Sequence, residues 1–334
     1  MIKFFSKIVI EDTVYYSPHA EQCLDMLKEG GGIGAFIIQK ASLDDIFADI
    51  ESDSIHNYFV LDCENVESIQ INSCEKKLGE LVSISGKKIL FANAKESLVS
   101  KMSIFHYFEQ RNAKYKTDTF YKWFGFGNDN KLDYSLIKTP TDAFQQHFIE
   151  KIKKFNISLS EGNIEHHSSS VKLTSYIDIK RFIVEERPFM LFAIYRLAVK
   201  MQSHWLKEHN SSNSKPILVC QSLNGSYVAS VLSSLLNLDL YILDQVGPIN
   251  KLYRSLGAKV KVNADYIVVS DMVCLGTEVK IVKNIIEYLG GNYVGNVTVV
   301  RTKSVREYDN TEEVFKIDEN NREQLNYRII TAIG

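Results

Sequence analysis

The stretch from Asp265 to Lys280, DYIVVSDMVCLGTEVK, decides the fold of the second half of the chain. Its first part, Tyr266–Val269, is a short apolar and β-branched run that predicts a buried parallel strand. Apolar residues then recur at helical spacing from Val279 to Leu289, before a Gly-Gly stop. A strand, a tight loop and a helix predict an open α/β sheet, whose ligands bind at the carboxyl ends of the strands. A helix N-terminus at that edge is suited to an anion.

The composition of the whole chain limits its class. With 334 residues, 45% hydrophobic and 24% charged, the chain has enough material for two domains. A net charge of −2 gives no electrostatic reason to expect nucleic acid or an anionic membrane as partner. No apolar run is long enough to span a membrane. The five cysteines lack paired-thiol spacing, which indicates neither a disulfide framework nor a zinc site, so a reducing cytoplasm is expected.

Two stretches with alternating predicted strands and helices are separated by an aromatic-rich stretch, which predicts three segments. Residues 1–110 are a small α/β domain, residues 111–165 are an aromatic-rich connector with a helix, and residues 166–334 are a second α/β domain. In the second domain, Pro216–Cys220 and Leu240–Leu243 are predicted strands beside Tyr266–Val269. Each of the three is followed by a polar loop.

The loop after Val269 resembles the ribose-phosphate loop of type I phosphoribosyltransferases. That family has a hydrophobic strand, two acids, two apolar residues, two hydroxyl positions and Gly-Thr. Here Ser270 stands at the first acid, and Cys274 and Leu275 stand at the hydroxyl positions. The resemblance implies that the acid holds the ribose of phosphoribosyl pyrophosphate (PRPP) and that the loop wraps its 5′-phosphate; any βα turn is the alternative for this stretch alone. The residues implied are Ser270, Asp271, Met272, Val273, Cys274, Leu275, Gly276, Thr277 and Glu278, with Asp271 also catalytic and a metal ligand.

Two further loops resemble that family in chain order. The loop Ser222, Leu223, Asn224 and Gly225 stands in the place of the pyrophosphate loop, and small residues at a helix start supply N–H groups to a polyanion. Lys251 and Arg254 fit the mobile loop loosely, which implies a catalytic role towards the leaving pyrophosphate of a neighbouring subunit. A surface turn with two solvated charges is the equal alternative.

The start of the second domain resembles the hood of orotate phosphoribosyltransferase. Tyr176, Asp178 and Lys180 follow a Tyr-x-Asp-x-Arg strand, with Lys180 in place of arginine, and a long helix is predicted over Phe189–Lys207. The resemblance implies that these three residues bind the base.

The stretch from Tyr58 to Met102 resembles the STAS domain of anti-sigma-factor antagonists. Strands are predicted at Tyr58–Asp62 and Lys88–Ala92, with a helix between them. Ser73 lies near the position where that family has a phosphorylated serine. A phosphate there would be favoured by the helix N-terminus. Ser73 as a simple helix cap is the alternative.

Together the residues and resemblances predict an α/β protein with a doubly wound parallel sheet and a smaller N-terminal α/β domain. The implied function is PRPP or nucleotide binding, with Mg2+, and transfer of ribose 5-phosphate to an orotate-like nitrogen base with loss of pyrophosphate. A homodimer is implied. The alternative function is a catalytically weakened regulatory or sensor module that binds a nucleotide and couples it to a protein partner through the N-terminal domain. The missing acid at Ser270 and the missing hydroxyls at Cys274 and Leu275 favour the alternative. The enzyme is favoured by Asp271, Gly276, Thr277, Lys251 and Arg254.

Overall fold

The computed structural model describes residues 5–18, 21–22, 36–64, 66–69, 74–83, 85–94, 111–115, 119–124, 138–158, 164–165, 171–206, 215–243, 260–302, 310–317 and 329–331. Its contacts divide the chain into two compact units, Met1–Phe148 and Ile149–Gly334. The division falls inside the segment predicted as a connector, and the predicted boundaries at residues 110 and 165 stay predictions. Within the described ranges, no helix is both long enough and apolar enough to cross a membrane.

The first unit is α/β. Its described helices are α1 (Lys40–Ser52) and α2 (Cys74–Ser83). Its described strands are β1 (Phe5–Ile10), β2 (Thr13–Pro18), β3 (Glu21–Gln22), β4 (Phe36–Ile38), β5 (Tyr58–Asp62), β6 (Val66–Ile69), β7 (Lys88–Ala92), β8 (Arg111–Tyr115) and β9 (Thr119–Phe124). Six of them form one sheet in the order β1-β2-β5-β7-β9-β8, parallel from β2 to β7 and antiparallel at both edges. The aromatic run that begins the predicted connector therefore contributes β9 to this sheet.

A network of charged side chains ties β1 and β2 to the end of α1. The Asp49 carboxylate accepts hydrogen bonds from Lys7 Nζ at 2.8 Å and from the Tyr16 hydroxyl at 2.7 Å. The Asp53 carboxylate lies 3.5 Å from Lys7 Nζ and 2.9 Å from His56 Nδ1. Each acid of the network thus has a cation or several donors, as buried charge requires.

The second unit contains a larger set of elements, and α3 (Pro140–Phe155) runs into it across the division. The other described helices are α4 (Ile179–Glu185), α5 (Arg187–Met201) with a π-helical turn at Gln202–Leu206, α6 (Leu223–Leu236) and α7 (Thr277–Tyr288). The described strands are β10 (Asn156–Ser158), β11 (Ile164–Glu165), β12 (Val171–Leu173), β13 (Ser175–Ile177), β14 (Ile217–Cys220), β15 (Leu240–Ile242), β16 (Asp265–Val273), β17 (Asn292–Thr302), β18 (Thr311–Ile317) and β19 (Ile329–Thr331).

Five strands of the second unit form a parallel sheet in the order β15-β14-β16-β17-β18. Numbered along the chain, this is the doubly wound order 2-1-3-4-5, and the predicted fold class is confirmed. In such a sheet the connections diverge between the first and third strands, because the chain leaves them towards opposite edges. The switch point therefore lies at the carboxyl ends of β14 and β16.

The two faces of β14 and β16 are covered by different helices. Alternate strand residues join the buried residues of α7 in one apolar cluster that contains Val219, Tyr266, Val268, Val279, Val282 and Ile286. The other face carries α6, which contacts both strands and buries Val228, Ala229 and Leu232. Both helices begin at the carboxyl edge of the sheet.

Two elements of this unit are longer than the sequence indicates. The strand predicted over Tyr266–Val269 extends to Val273, because Ser270, Met272 and Val273 continue the pairing with β17. Three of the four residues of the predicted pyrophosphate loop already belong to α6, which starts at Leu223 and is capped by the Ser222 side chain.

Candidate functional site

The switch point brings together one acid and two polar side chains from different loops. Asp271 is near the end of β16, and Ser222 and Asn224 follow β14. The Ser222 hydroxyl donates to Asp271 Oδ1 at 3.2 Å, and Asn224 Nδ2 donates to Asp271 Oδ2 at 3.1 Å. The structure thus joins the predicted pyrophosphate loop to the predicted ribose-phosphate loop through direct hydrogen bonds.

Ser222 has a second function as the cap of α6. Its Oγ accepts the backbone N–H of Gly225 at 2.9 Å, so its own proton is directed to Asp271. Each oxygen of Asp271 therefore has one fixed donor and keeps acceptor capacity for a ligand. The side chain is held in one orientation before any ligand arrives.

Gly225 allows the start of α6 to lie directly against β16. A Cβ at this position would come within 2.6 Å of Ser222 Oγ and 3.1 Å of the Val269 carbonyl oxygen. Any larger residue would displace the cap or the strand. Leu223, Asn224 and Gly225 are the first turn of the helix rather than a loop before it, and the Leu223 side chain is 79% exposed.

The second helix N-terminus at this edge belongs to α7. Gly276 precedes the helix with φ +68°, a left-handed conformation that favours glycine, and no side chain caps the first turn. The first N–H groups of α7 therefore have no side-chain acceptor from the N-cap residue. The Thr302 hydroxyl lies 3.4 Å from the Val273 carbonyl and 3.1 Å from the Cys274 carbonyl, which fixes the loop from β17.

Ser270 faces away from Asp271. Successive side chains of a strand point to opposite faces, and Ser270 is 2% exposed opposite Thr298 of β17. The position where the resembled family has its first acid is thus buried in the sheet. Met272 and Val273 complete the strand, and Cys274 and Leu275 form the turn into α7.

A second carboxylate, Glu278, lies in the first turn of α7. Burial raises its pKa above the ordinary value, and the nearby charge of Asp271 raises the pKa further. The pKa of Cys220, at the end of β14, is raised to about 11 by burial and by the charge of Glu278. Asp271 and Glu278 therefore place negative charge at this edge of the sheet, and the raised pKa of Cys220 keeps its thiol uncharged. In the part of the chain that the structure describes, no ion pair joins Asp271 or Glu278 to a cation.

The donor set is compatible with a magnesium ion that is shared with a substrate. Mg2+ is usually bound through one or two carboxylates plus substrate phosphates, and Asp271 and Glu278 are ligands of that kind. No group of three or more His, Cys, Asp and Glu side chains suited to a metal is found among the described residues. A site made by the protein alone is therefore absent from that part of the chain.

The other predicted site residues are distributed differently. Asp178 caps α4, where its carboxylate accepts the backbone N–H of Arg181 at 2.9 Å, and Lys180 is exposed on the same helix. Tyr176 lies in β13, which pairs with β10 outside the five-stranded sheet. Their base-binding role stays a prediction. Lys251, Arg254 and Ser73 lie outside the described residues.

Thr302 is the residue that sequence reasoning missed. It holds the loop after β16 although it lies about a strand and a helix further along the chain. A threonine at the end of a predicted strand gives no sign of this contact. Only the parallel pairing of β16 and β17 brings it there.

Comparisons with known proteins give similarity to solved structures only. No family model and no curated protein matches the chain. Orotate phosphoribosyltransferase from Aeropyrum pernix is 15% identical with a TM-score of 0.37, over 53% of this chain and 98% of that chain. UMP synthase from Leishmania donovani is 13% identical with a TM-score of 0.41, over 87% of this chain and 56% of that chain. Adenine phosphoribosyltransferase from Thermoanaerobacter pseudethanolicus is 14% identical with a TM-score of 0.36, over 51% and 99%. The activity in each of these names describes that protein.

Proposed function

We propose that the crevice between β14 and β16 binds PRPP and transfers its ribose 5-phosphate to an orotate-like nitrogen base. The main support is that hydrogen bonds from Ser222 and Asn224 hold Asp271 at the switch point of a doubly wound sheet. A ligand at such a point is held from both loops at once. Two helix N-termini at the same edge favour a ligand with anionic groups at both ends.

The residues have separate tasks in this proposal. Asp271 accepts hydrogen bonds from ribose hydroxyls, and its charge stabilises the positive charge that develops at the anomeric carbon. The first turn of α6 holds the pyrophosphate, and the turn from Gly276 into α7 holds the 5′-phosphate. The base nitrogen forms a bond to the anomeric carbon while the bond to pyrophosphate breaks, and pyrophosphate leaves with the electron pair.

The residues that the family resemblance singles out elsewhere in the chain have further roles in this proposal. Lys251 and Arg254 neutralise the leaving pyrophosphate, and Tyr176, Asp178 and Lys180 contact the base. A bound Mg2+ would be held by Asp271 together with PRPP oxygens and would reduce the charge of the leaving group. The proposal includes a homodimer in the cytoplasm and a STAS-like N-terminal domain that binds a protein partner and carries a phosphosite at Ser73.

Titration calorimetry of the full chain with PRPP and Mg2+ tests the binding site. We expect the parent to bind and Asp271→Asn to bind at least about tenfold more weakly, because a charge-assisted acceptor is lost. Asp265→Asn is the matched control: it changes an acid in the same strand that contacts Asn292 at the far end. Equal binding by Asp271→Asn and the parent would refute the ribose site.

A pyrophosphate-release assay over a panel of nitrogen bases tests the reaction. Release with one base and none without a base supports the transferase. Binding of PRPP without turnover of any base would instead support the regulatory module. Absence of PRPP binding by the parent would refute the transferase, and absence of nucleotide binding as well would refute the regulatory module.

A further inference from the structure

The side chain of Asn224 contacts an acid of another strand rather than the start of its own helix. Asn224 lies in the first turn of α6, whose cap is the side chain of Ser222. Its Nδ2 donates at 3.1 Å to Oδ2 of Asp271, which lies 47 residues further along the chain. Because an ionised carboxylate only accepts hydrogen bonds, the amide nitrogen is the atom that faces it. One donor of the predicted pyrophosphate loop is thus committed to the predicted ribose acid.

Ser222 directs its hydroxyl to the other oxygen of the same acid. It donates to Asp271 Oδ1 at 3.2 Å, while its own oxygen accepts the Gly225 N–H at 2.9 Å. The terminal torsion of an aspartate side chain is otherwise broad. Donors on both oxygens, from Ser222 and Asn224, restrict that torsion together with the position of the carboxylate.

Both donors are neutral, which distinguishes this acid from those of the first unit. Lys7 Nζ lies 2.8 Å from the Asp49 carboxylate and 3.5 Å from the Asp53 carboxylate, and its positive charge offsets theirs. A hydroxyl and an amide orient a carboxylate without bringing a positive charge to it. The charge of Asp271 is thus left to a ligand that presents hydroxyl groups or a developing positive charge.

We propose that Asn224 and Ser222 are positioning residues that hold the Asp271 carboxylate in the orientation in which it accepts the ribose hydroxyls of PRPP. This inference rests on the proposed function, which supplies the ribose. The carboxylate is then ordered before the ligand arrives, so the free energy of binding does not include the cost of ordering it. The side chain of Asn224 acts on the ribose half of the ligand, although its place in the chain matches a pyrophosphate loop.

A double-mutant cycle with PRPP and Mg2+ separates positioning from direct contact with pyrophosphate. Asn224 is the residue to change, because Ser222→Ala would also remove the cap of α6. We expect calorimetry to give about tenfold weaker binding for Asn224→Ala in the parent. In Asp271→Ala, where no carboxylate is left to orient, Asn224→Ala should cause no further loss. A merely structural effect, or a direct contact with pyrophosphate, would persist in that background.

The matched control is Ser230→Ala, one turn or more beyond the helix start. Ser230 is exposed, and its hydroxyl donates to the Ser226 carbonyl, so its removal should leave PRPP binding equal to that of the parent. Thermal melting of each ligand-free variant verifies that it is folded. Asn224→Leu, which also lacks a donor but keeps the size of the side chain, replaces Asn224→Ala if the latter does not melt cooperatively.

Ribose 5-phosphate, which lacks the pyrophosphate, gives a second measurement that needs only Asn224→Ala. Its binding should weaken by the same factor as that of PRPP, because the affected contact is on the ribose that both ligands share. Additive losses in the cycle would overturn the inference and leave the proposed function standing. So would ribose 5-phosphate binding that is undiminished in Asn224→Ala or absent in the parent. Failure of the parent to bind PRPP would refute the proposed function and this inference with it.

Discussion

Two groups of acids in this chain have opposite surroundings. In the first unit, Asp49 and Asp53 each contact Lys7, and Asp53 also contacts His56. At the crevice of the second unit, Asp271 has two neutral donors, and Glu278 has none from the described residues. An acid with a full set of partners stabilises the fold, whereas an acid that lacks partners lowers stability until a ligand binds. The difference separates structural carboxylates from those available for function.

The largest expected effect on stability comes from placing an acid at the buried position 270 of β16. Ser270→Asp restores the acid of the resembled family but places it in a position that is 2% exposed. We expect a loss of roughly 3–5 kcal/mol in the free energy of unfolding, because the new charge is buried without a partner. Urea denaturation measures it, with Ser270→Ala as the control for the lost hydroxyl. A stable Ser270→Asp would mean that this side chain reaches solvent and would remove the contrast with Asp271.

The second prediction concerns the acid with a full set of partners. Asp53→Asn should lower the free energy of unfolding by roughly 2 kcal/mol, because it removes the charge that binds His56 and Lys7. Asp44→Asn changes a partly exposed acid on α1 that lies 3.9 Å from Lys40, and it should change stability by less than about 0.5 kcal/mol. Denaturation at neutral pH compares the two, and an equal effect of both would contradict the structural role of Asp53.

The pH dependence of stability follows from the same residue. Burial alone would raise the pKa of Asp53, but hydrogen bonds from His56 and Ile55 outweigh it and hold the pKa below the ordinary value. The unfolded chain therefore binds a proton more readily than the folded one below about pH 4. The contribution of Asp53 is complete above that pH and is lost as the pH falls towards the folded pKa. Asp53→Asn should show a shallower loss of stability with acid than the parent.

A third change tests how tightly the start of α6 packs against β16. Gly225→Ala places a Cβ within 2.6 Å of Ser222 Oγ, so the cap of α6 must move. We expect roughly 1–3 kcal/mol of destabilisation from overpacking. Ser230→Ala, on an exposed position of α6, is the control. Full stability of Gly225→Ala would show that the helix start is less tightly packed against β16 than the distances indicate.

The smallest expected effect has the opposite sign. Glu278→Gln should raise the free energy of unfolding of the ligand-free protein by about 1 kcal/mol, because it removes a charge beside Asp271 that is costly at neutral pH. Since the folded pKa of Glu278 is raised, this cost disappears when the pH falls below its ordinary value. The gain of the variant over the parent should therefore be largest at neutral pH and vanish in acid. A destabilised variant would place Glu278 with Asp53 among the structural acids.

The sequence predicted the sheet better than it predicted the site. Tyr266–Val269 and Pro216–Cys220 are apolar and β-branched, so their burial was visible locally. Helix α1 was missed, although Leu43, Ile46, Phe47 and Ile50 have helical spacing, because Gln39 supplies no side-chain cap that marks its start. Local sequence patterns predict an element correctly only where its residues differ in polarity from those of the adjoining loop.

The site depended on contacts that no local pattern carries. Ser270 and Asp271 are both polar, so the sequence predicts that both belong to the loop, but pairing with β17 extends the strand and sends them to opposite faces. The family resemblance assigns Ser222 and Asn224 to pyrophosphate, but their contact with Asp271 needs the parallel adjacency of β14 and β16. The fixed acid is therefore a result of tertiary structure.

The reactivity of the Cys220 thiol can report on local opening of the chain around β14. The thiol is fully buried in a central strand with a pKa of about 11, so alkylating reagents cannot reach it in the closed state. Modification then requires the chain around β14 to open, and the labelling rate measures how often this happens. A ligand that joins the ends of β14 and β16 would slow that labelling, which gives a readout of binding that needs neither turnover nor a labelled substrate.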